Sequence, residues 1–158
     1  MWDSTLNQEN VFSDEERIKI IEALEIMHRV CKKGEVLGSP EMVNTYLRLK
    51  IGPETKEHFG VIFLDTKGAV IADEIMSTGT IDCASVFPRE ILKAAILKNA
   101  ASLVLYHNHP SGNLEPSLAD KNITQSITGA CKYCEIKVLD HIIVSYAGFY
   151  SFAAHGLI

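Results

Sequence analysis

The sequence predicts an α/β fold, with a mixed β-sheet flanked by helices in a three-layer arrangement. Three observations lead to it. Two runs of β-forming residues, His58 to Leu64 and Ala69 to Met76, are separated only by the turn residues Asp65 to Gly68, which makes a hairpin. The short apolar run Ser102 to Tyr106 reads as a central strand. It is followed by a helical pattern and then by further strands, so one strand, helix, strand crossover sits within the sheet.

The elements follow in chain order. Ser13 and Glu16 form a capping-box signature, and Ile18, Ile21, Leu24 and the stretch Ile26 to Val30 recur at roughly helical spacing until Gly34. Ser39 as N-cap and Pro40 at the first helical position announce a second helix, with Val43, Tyr46 and Leu47 on one side, that ends at Gly52 and Pro53. After the hairpin and a loop through Gly79, Pro88 opens a helix that buries Ile91, Leu92, Ala95 and Ile96 and ends near Asn99. A loop rich in Pro and Gly, His107 to Pro116, separates the central strand from a helix over Ser117 to Cys131, whose propensity Thr124, Thr128 and Gly129 weaken. Glu135 to Leu139, His141 to Ser145 and Phe149 to Phe152 complete the chain as short strands. Residues 1–38 are expected to be a helical segment and 39–158 the main domain.

Composition narrows the function. A chain of 158 residues with 47% hydrophobic side chains furnishes one ordinary core. The formal charge of −5 repels a phosphate backbone, so non-specific nucleic-acid binding is not expected. No apolar run reaches the roughly 20 residues of a membrane span, and Met1 to Asn10 lacks a signal-peptide layout, so a soluble cytoplasmic protein is expected. Cys31, Cys83, Cys131 and Cys134 need not be a disulfide framework, and Cys131-x-x-Cys134 reads as two helical cysteines one turn apart.

The chemistry gathers in Tyr106-His107-Asn108-His109-Pro110, where extended backbone points the imidazoles of His107 and His109 to one side. Two neutral imidazoles and a carboxylate, with a fourth position left for water, make a hydrolytic zinc site. Asp120 is the natural third ligand: it lies eleven residues after His109, past a loop turned by Pro110, Gly112 and Pro116. Taken alone, Ser117-x-x-Asp120 is a capping box, and His-x-His is a weak signal.

Together, His107-x-His109-Pro110, six residues, then Ser117-x-x-Asp120 resembles the signature of the JAMM (MPN-plus, JAB) zinc metalloproteases. Asn108, Pro110-Ser111-Gly112, Pro116, Gly79-Thr80, Pro88-Arg89-Glu90 and Asp140-His141 resemble its RadC-like branch, from about Ser39 to the C-terminus. The resemblance implies a JAB/MPN-like, cytidine-deaminase-like architecture. It implies one zinc per chain held by His107, His109 and Asp120, with Ser117 donating to the oxyanion and an upstream glutamate as general base. Glu57, just before His58-Phe59-Gly60-Val61, fits that glutamate, and Glu54 and Glu74 are its competitors. Zinc lowers the pKa of its water from 15.7 towards roughly 7, Glu57 takes the proton, and an amide or isopeptide bond in a protein or peptide is the implied substrate.

Of the other polar residues, Asp140-His141 offers either a hydrogen bond behind the metal ligands or a strand-opening structural pair. His28, His58 and His155 are assigned to structure or surface, Ser111 and Asn113 to loop shape, and Tyr106 to packing. A nucleobase deaminase needs His-x-Glu and Pro-Cys-x-x-Cys, and here His109 and Ala130 stand at the glutamate and proline positions. A zinc phosphodiester hydrolase would want more clustered carboxylates. A non-catalytic interaction module would not require the filled motif. The family name is associated with DNA repair, but the acidic charge and the lack of a basic stripe argue against direct DNA contact.

Overall fold

The computed structural model describes residues 12–30, 32–79 and 86–158. The reading of Met1 to Asn10 and those touching Cys31, Thr80, Cys83 and the side chain of His28 fall outside the described residues. The elements in order are α1 (Asp14–Val30), α2 (Pro40–Ile51), β1 (His58–Leu64), β2 (Val70–Thr78), α3 (Pro88–Leu97), β3 (Ser102–Asn108), α4 (Leu118–Lys132), β4 (Lys137–Ser145) and β5 (Gly148–Ser151). None of the described helices is long and apolar enough to cross a membrane.

The five strands form one mixed sheet in the order β2-β1-β3-β4-β5. Only β3 and β4 are parallel, joined by the crossover helix α4, and the other neighbours are antiparallel. Alternation along the central strands feeds two cores. Phe59, Val61 and Phe63 of β1 and Leu103 and Leu105 of β3 face Ile91 and Ala95 of α3 and Ile123 and Ile127 of α4. Ile62, Leu64, Val104 and Tyr106 face Val43, Tyr46 and Leu47 of α2. The three-layer arrangement follows, with α1 lying against α2.

Both N-terminal helices start as their sequences dictate. The Ser13 backbone N–H and hydroxyl donate to Glu16 Oε2 at 2.8 and 2.9 Å, and Ser39 Oγ accepts from the Met42 N–H at 3.3 Å.

Two expected boundaries are corrected. The runs read as separate strands, Glu135 to Leu139 and His141 to Ser145, are one strand, because a bulge at Leu139 takes up the irregularity: Leu103 pairs with Val138 and Val104 with Asp140. The Asp140 carboxylate, which looks like a break in the sequence, accepts from the His141 N–H at 2.7 Å, the Ser151 hydroxyl at 2.6 Å and the Ala153 N–H at 2.9 Å. Glu135 itself belongs to the turn that ends α4, with φ of +58°. Likewise β3 continues two residues past Tyr106, so His107 and Asn108 are strand rather than loop.

Tyr106 does more than pack. Its hydroxyl donates to Asp73 Oδ1 at 2.5 Å and accepts from Lys50 Nζ at 2.9 Å, while Tyr46 and Lys50 reach Asp73 Oδ2 at 2.5 and 2.6 Å. These bonds tie α2 to β2 and β3. Gly60 on the neighbouring strand makes room for the phenol, since a Cβ there would overlap the Tyr106 ring.

Candidate metal centre

The sheet register builds the site. Phe59 pairs with His107 at the end of the β1–β3 ladder, and Glu57 and His109 each lie two residues beyond that pair. His107 and His109 meet Asp120, which stands at the third position of α4, and the charge of Glu57 acts on both imidazoles. His107, His109 and Asp120 are the only group of metal-capable side chains found among the described residues, their donor atoms all within 4.8 Å of one another.

Within that triad His107 Nε2 and His109 Nε2 are 2.9 Å apart, His107 Nε2 is 3.3 Å from Asp120 Oδ1, and His109 Nε2 is 3.5 Å from Asp120 Oδ2. Ligands at zinc-like bond lengths occupy tetrahedron corners about 3.3 Å apart. The spacing thus suits a single small tetrahedral cation.

The hydrogen-bond network fixes which nitrogens are free. Thr124 Oγ1 donates to the Asp120 carbonyl at 2.6 Å, leaving its lone pairs to accept from His141 Nδ1–H, also at 2.6 Å. His141 Nε2 then carries only a lone pair, and accepts from His107 Nδ1–H at 2.8 Å. His107 Nε2 is left bare. His109 reaches the same condition separately, because its Nδ1 lies 2.6 Å from the Asn113 carbonyl, which can only accept. Two imidazole lone pairs facing each other beside a carboxylate repel unless a cation, proton or metal, lies between them.

Electrostatics agree. Burial pushes the His107 imidazolium down, against the hydrogen bond and charge of Asp120, and holds His141 neutral well below the usual histidine range, with the His107 charge adding to the effect. Burial lowers His109 too, but hydrogen bonds to Asp120 and to the Asn113 carbonyl, with the charges of Asp120 and Glu57, outweigh it and raise the group. For Asp120 burial raises the carboxyl, yet the hydrogen bonds of His107, His109 and Ser117 win and keep it ionised.

A pH dependence follows for metal-stripped protein. Below about pH 6.5 the unfolded chain takes up protons at His107 and His141 that the native state resists, so stability falls with pH, by up to roughly 1.4 kcal/mol per pH unit for each imidazole. His109 has the opposite sign: its contribution is complete below pH 6.5 and fades as pH rises through its elevated folded value. Urea unfolding at pH 5, 6.5 and 8 should show the greatest stability at the middle value; a gain from 6.5 to 5 would contradict burial of neutral imidazoles.

The remaining candidates are placed as follows. Glu57 is half-buried, its charge acts on both His107 and His109, and it lines a groove of about 500 Å³ with Gly79, Pro110 and Ser111. Glu54 instead sits 3.6 Å from His58, and Glu74 pairs with Lys98 at 3.0 Å, so both competitors are engaged elsewhere. Ser117 caps α4: its hydroxyl donates to Asp120 Oδ2 at 2.7 Å and accepts from the Asp120 N–H at 3.1 Å. Ser111 and Asn113 shape the loop by accepting from the Asn113 and Glu115 N–H groups. Cys131 is buried and its thiol is pushed up to about 11 by burial and by Cys134, which fits a packing role.

Thr124 and the Asn113 carbonyl belong to the site beyond the residues that the sequence motif names. Thr124 had a signal: it follows Asp120 by four residues, one helical turn, and so lies on the same face.

A family model for the RadC-like JAB domain matches residues 37–157. A UPF0758 protein of Janthinobacterium sp. (strain Marseille) is 48% identical over 123 residues, 78% of this chain and 55% of that protein. One of Vibrio atlanticus (strain LGP32) is 46% identical over 126 residues, 80% and 56% respectively. One of Paracidovorax citrulli (strain AAC00-1) is 42% identical over 146 residues, 90% and 62%. The matched region thus spans between half and two thirds of these relatives.

Proposed function

The chain belongs to the RadC-like JAB-domain family, and from that membership and the site we propose that it is a zinc-dependent metallopeptidase cleaving an amide or isopeptide bond. The observation that carries this reading is the convergence of two bare imidazole nitrogens and the Asp120 carboxylate, with the charge of Glu57 acting on both histidines. Their mixed nitrogen and oxygen donor set suits zinc.

Bound there, zinc would supply Lewis acidity, lowering the pKa of a water from 15.7 towards about 7 and polarising a carbonyl. Glu57 accepts the proton of the attacking water and later delivers it to the departing amine. The Ser117 hydroxyl turns from Asp120 to donate to the oxyanion of the tetrahedral intermediate. Asp120 loses little, because the Ser117 N–H still donates to its Oδ2 at 2.8 Å. His107 and His109 stay neutral and fixed in orientation through their Nδ1 bonds.

A protein or peptide is the substrate this surface favours. Beyond Pro110 the groove at Glu57 borders a second one of about 800 Å³, in which Leu49, Pro53 and Tyr146 offer apolar surface; Thr55 and Pro110 line both. An extended chain lying along the pair passes Glu57 and Pro110, the residue after His109. The charge of −5 disfavours a nucleic-acid substrate, and no second metal cluster for phosphodiester chemistry stands among the described residues.

The test is a peptide-library digest. Zinc-loaded protein should cleave a subset of sequences, a chelator should stop it, and added zinc should restore it. A folded, zinc-replete protein that leaves the whole library intact but hydrolyses a phosphodiester would replace this reading.

A further inference from the structure

Asn108 stands between the two candidate ligand histidines, yet its side chain bonds to none of them. Strand alternation turns it to the opposite face from His107, where it is fully buried. Its Oδ1 accepts from the His58 N–H at 2.7 Å, and its Nδ2 donates to the Lys56 carbonyl at 3.0 Å and the Glu54 carbonyl at 3.3 Å. One carboxamide thus meets the backbone at positions 54, 56 and 58, on both sides of Glu57. The Glu57 carbonyl is held in turn by the Gly79 N–H at 2.8 Å.

We propose that Asn108 is the positioning residue for Glu57: through these three backbone hydrogen bonds, the strand that carries His107 and His109 also fixes the place of the glutamate. The segment before β1 has no regular ladder of its own here, since residues 52–57 lie outside every helix and strand. Without Asn108 the backbone on both sides of Glu57 loses these bonds and of these backbone ties only that from the Gly79 N–H remains, and a displacement of about 1 Å can be severe for rate. Asparagine is the side chain that fits, because only a carboxamide offers an acceptor and two donors in one plane at this length. Aspartate would turn oxygen lone pairs towards the Glu54 and Lys56 carbonyls, and serine is too short with a single donor. What Glu57 does once positioned rests on the hydrolase reading; where Asn108 holds it does not.

The experiment uses the full zinc-loaded chain with Asn108→Ala and the near-isosteric Asn108→Asp, the latter serving if the alanine variant does not fold. Amide exchange read by mass spectrometry or NMR is expected to be about tenfold faster at Gly79 in either variant, and at His58 in the alanine variant, with zinc content and exchange along the rest of β3 as in wild type. On a peptide taken from the library digest, kcat should fall about a hundredfold with little change in KM. In a Glu57→Gln background, Asn108→Ala should lower kcat by less than about twofold more, because the group it positions is already gone. Unchanged exchange at His58 and Gly79, or kcat losses that multiply with that of Glu57→Gln, would overturn the proposal. If wild type cleaves no peptide the hydrolase reading fails, while the exchange measurement by itself still decides whether Asn108 holds the segment.

Discussion

Glu57→Gln is expected to leave zinc bound and slow hydrolysis by about 10²–10⁴-fold, roughly 3–5 kcal/mol of barrier. The amide keeps the size of the side chain but cannot take a proton from water. Metal retention is expected because Glu57 is not one of the three clustered donors. The competing carboxylates give no ready substitute, with Glu54 beside His58 and Glu74 paired to Lys98. Steady-state kinetics on a library-derived peptide, run beside elemental analysis of the same preparation, checks both halves. Wild-type kcat in this variant would assign the base to another group; loss of zinc would make Glu57 part of the metal site.

His141→Ala is expected to weaken zinc binding by about 10–100-fold, as loss of a hydrogen bond behind a ligand typically does. The side chain is fully buried, stacked on Phe152 with ring centroids 4.7 Å apart and edge-on to Phe59 at 5.5 Å. Its removal leaves a void and an unmet His107 Nδ1–H, which together cost about 2–4 kcal/mol of folding stability. Thr124→Val separates the effects. It keeps the shape of Thr124 but removes the hydroxyl that sets the tautomer of His141, so zinc affinity should fall with less damage to the fold. A chelator competition titration reads both variants. Wild-type affinity in both would reduce the His107–His141–Thr124 chain to packing.

Much of the fold could be read locally. β1 begins and ends where the β-forming run of His58 to Leu64 does, and the starts of α2 and α4 follow from Ser39-Pro40 and Ser117 to Asp120. The motif residues His107, His109 and Asp120 do come together, across a loop that Gly112 turns with φ of +84°. The capping reading of Ser117 and Asp120 and the ligand reading of Asp120 turn out compatible, because one carboxylate oxygen faces the cap and the other His107.

What stayed hidden depends on partners distant in sequence. Asp140 reads as a strand break until Ser151 and Ala153 fold back to satisfy it. Thr124 reads as a weak helix former until His141 arrives beside it. Asn108 touches residues some fifty positions earlier, beyond any periodic pattern. Glu57 rests in the sequence on family resemblance alone; in the fold it lies two residues before Phe59, the partner of His107, and its charge acts on both His107 and His109.

Elemental analysis of protein purified without added metal bears most directly on the centre of this account. Close to one zinc per chain is expected in wild type and close to none in His109→Ala, with both proteins folded by circular dichroism. Near-zero zinc in both, or equal zinc in both, would contradict a site built on His107, His109 and Asp120.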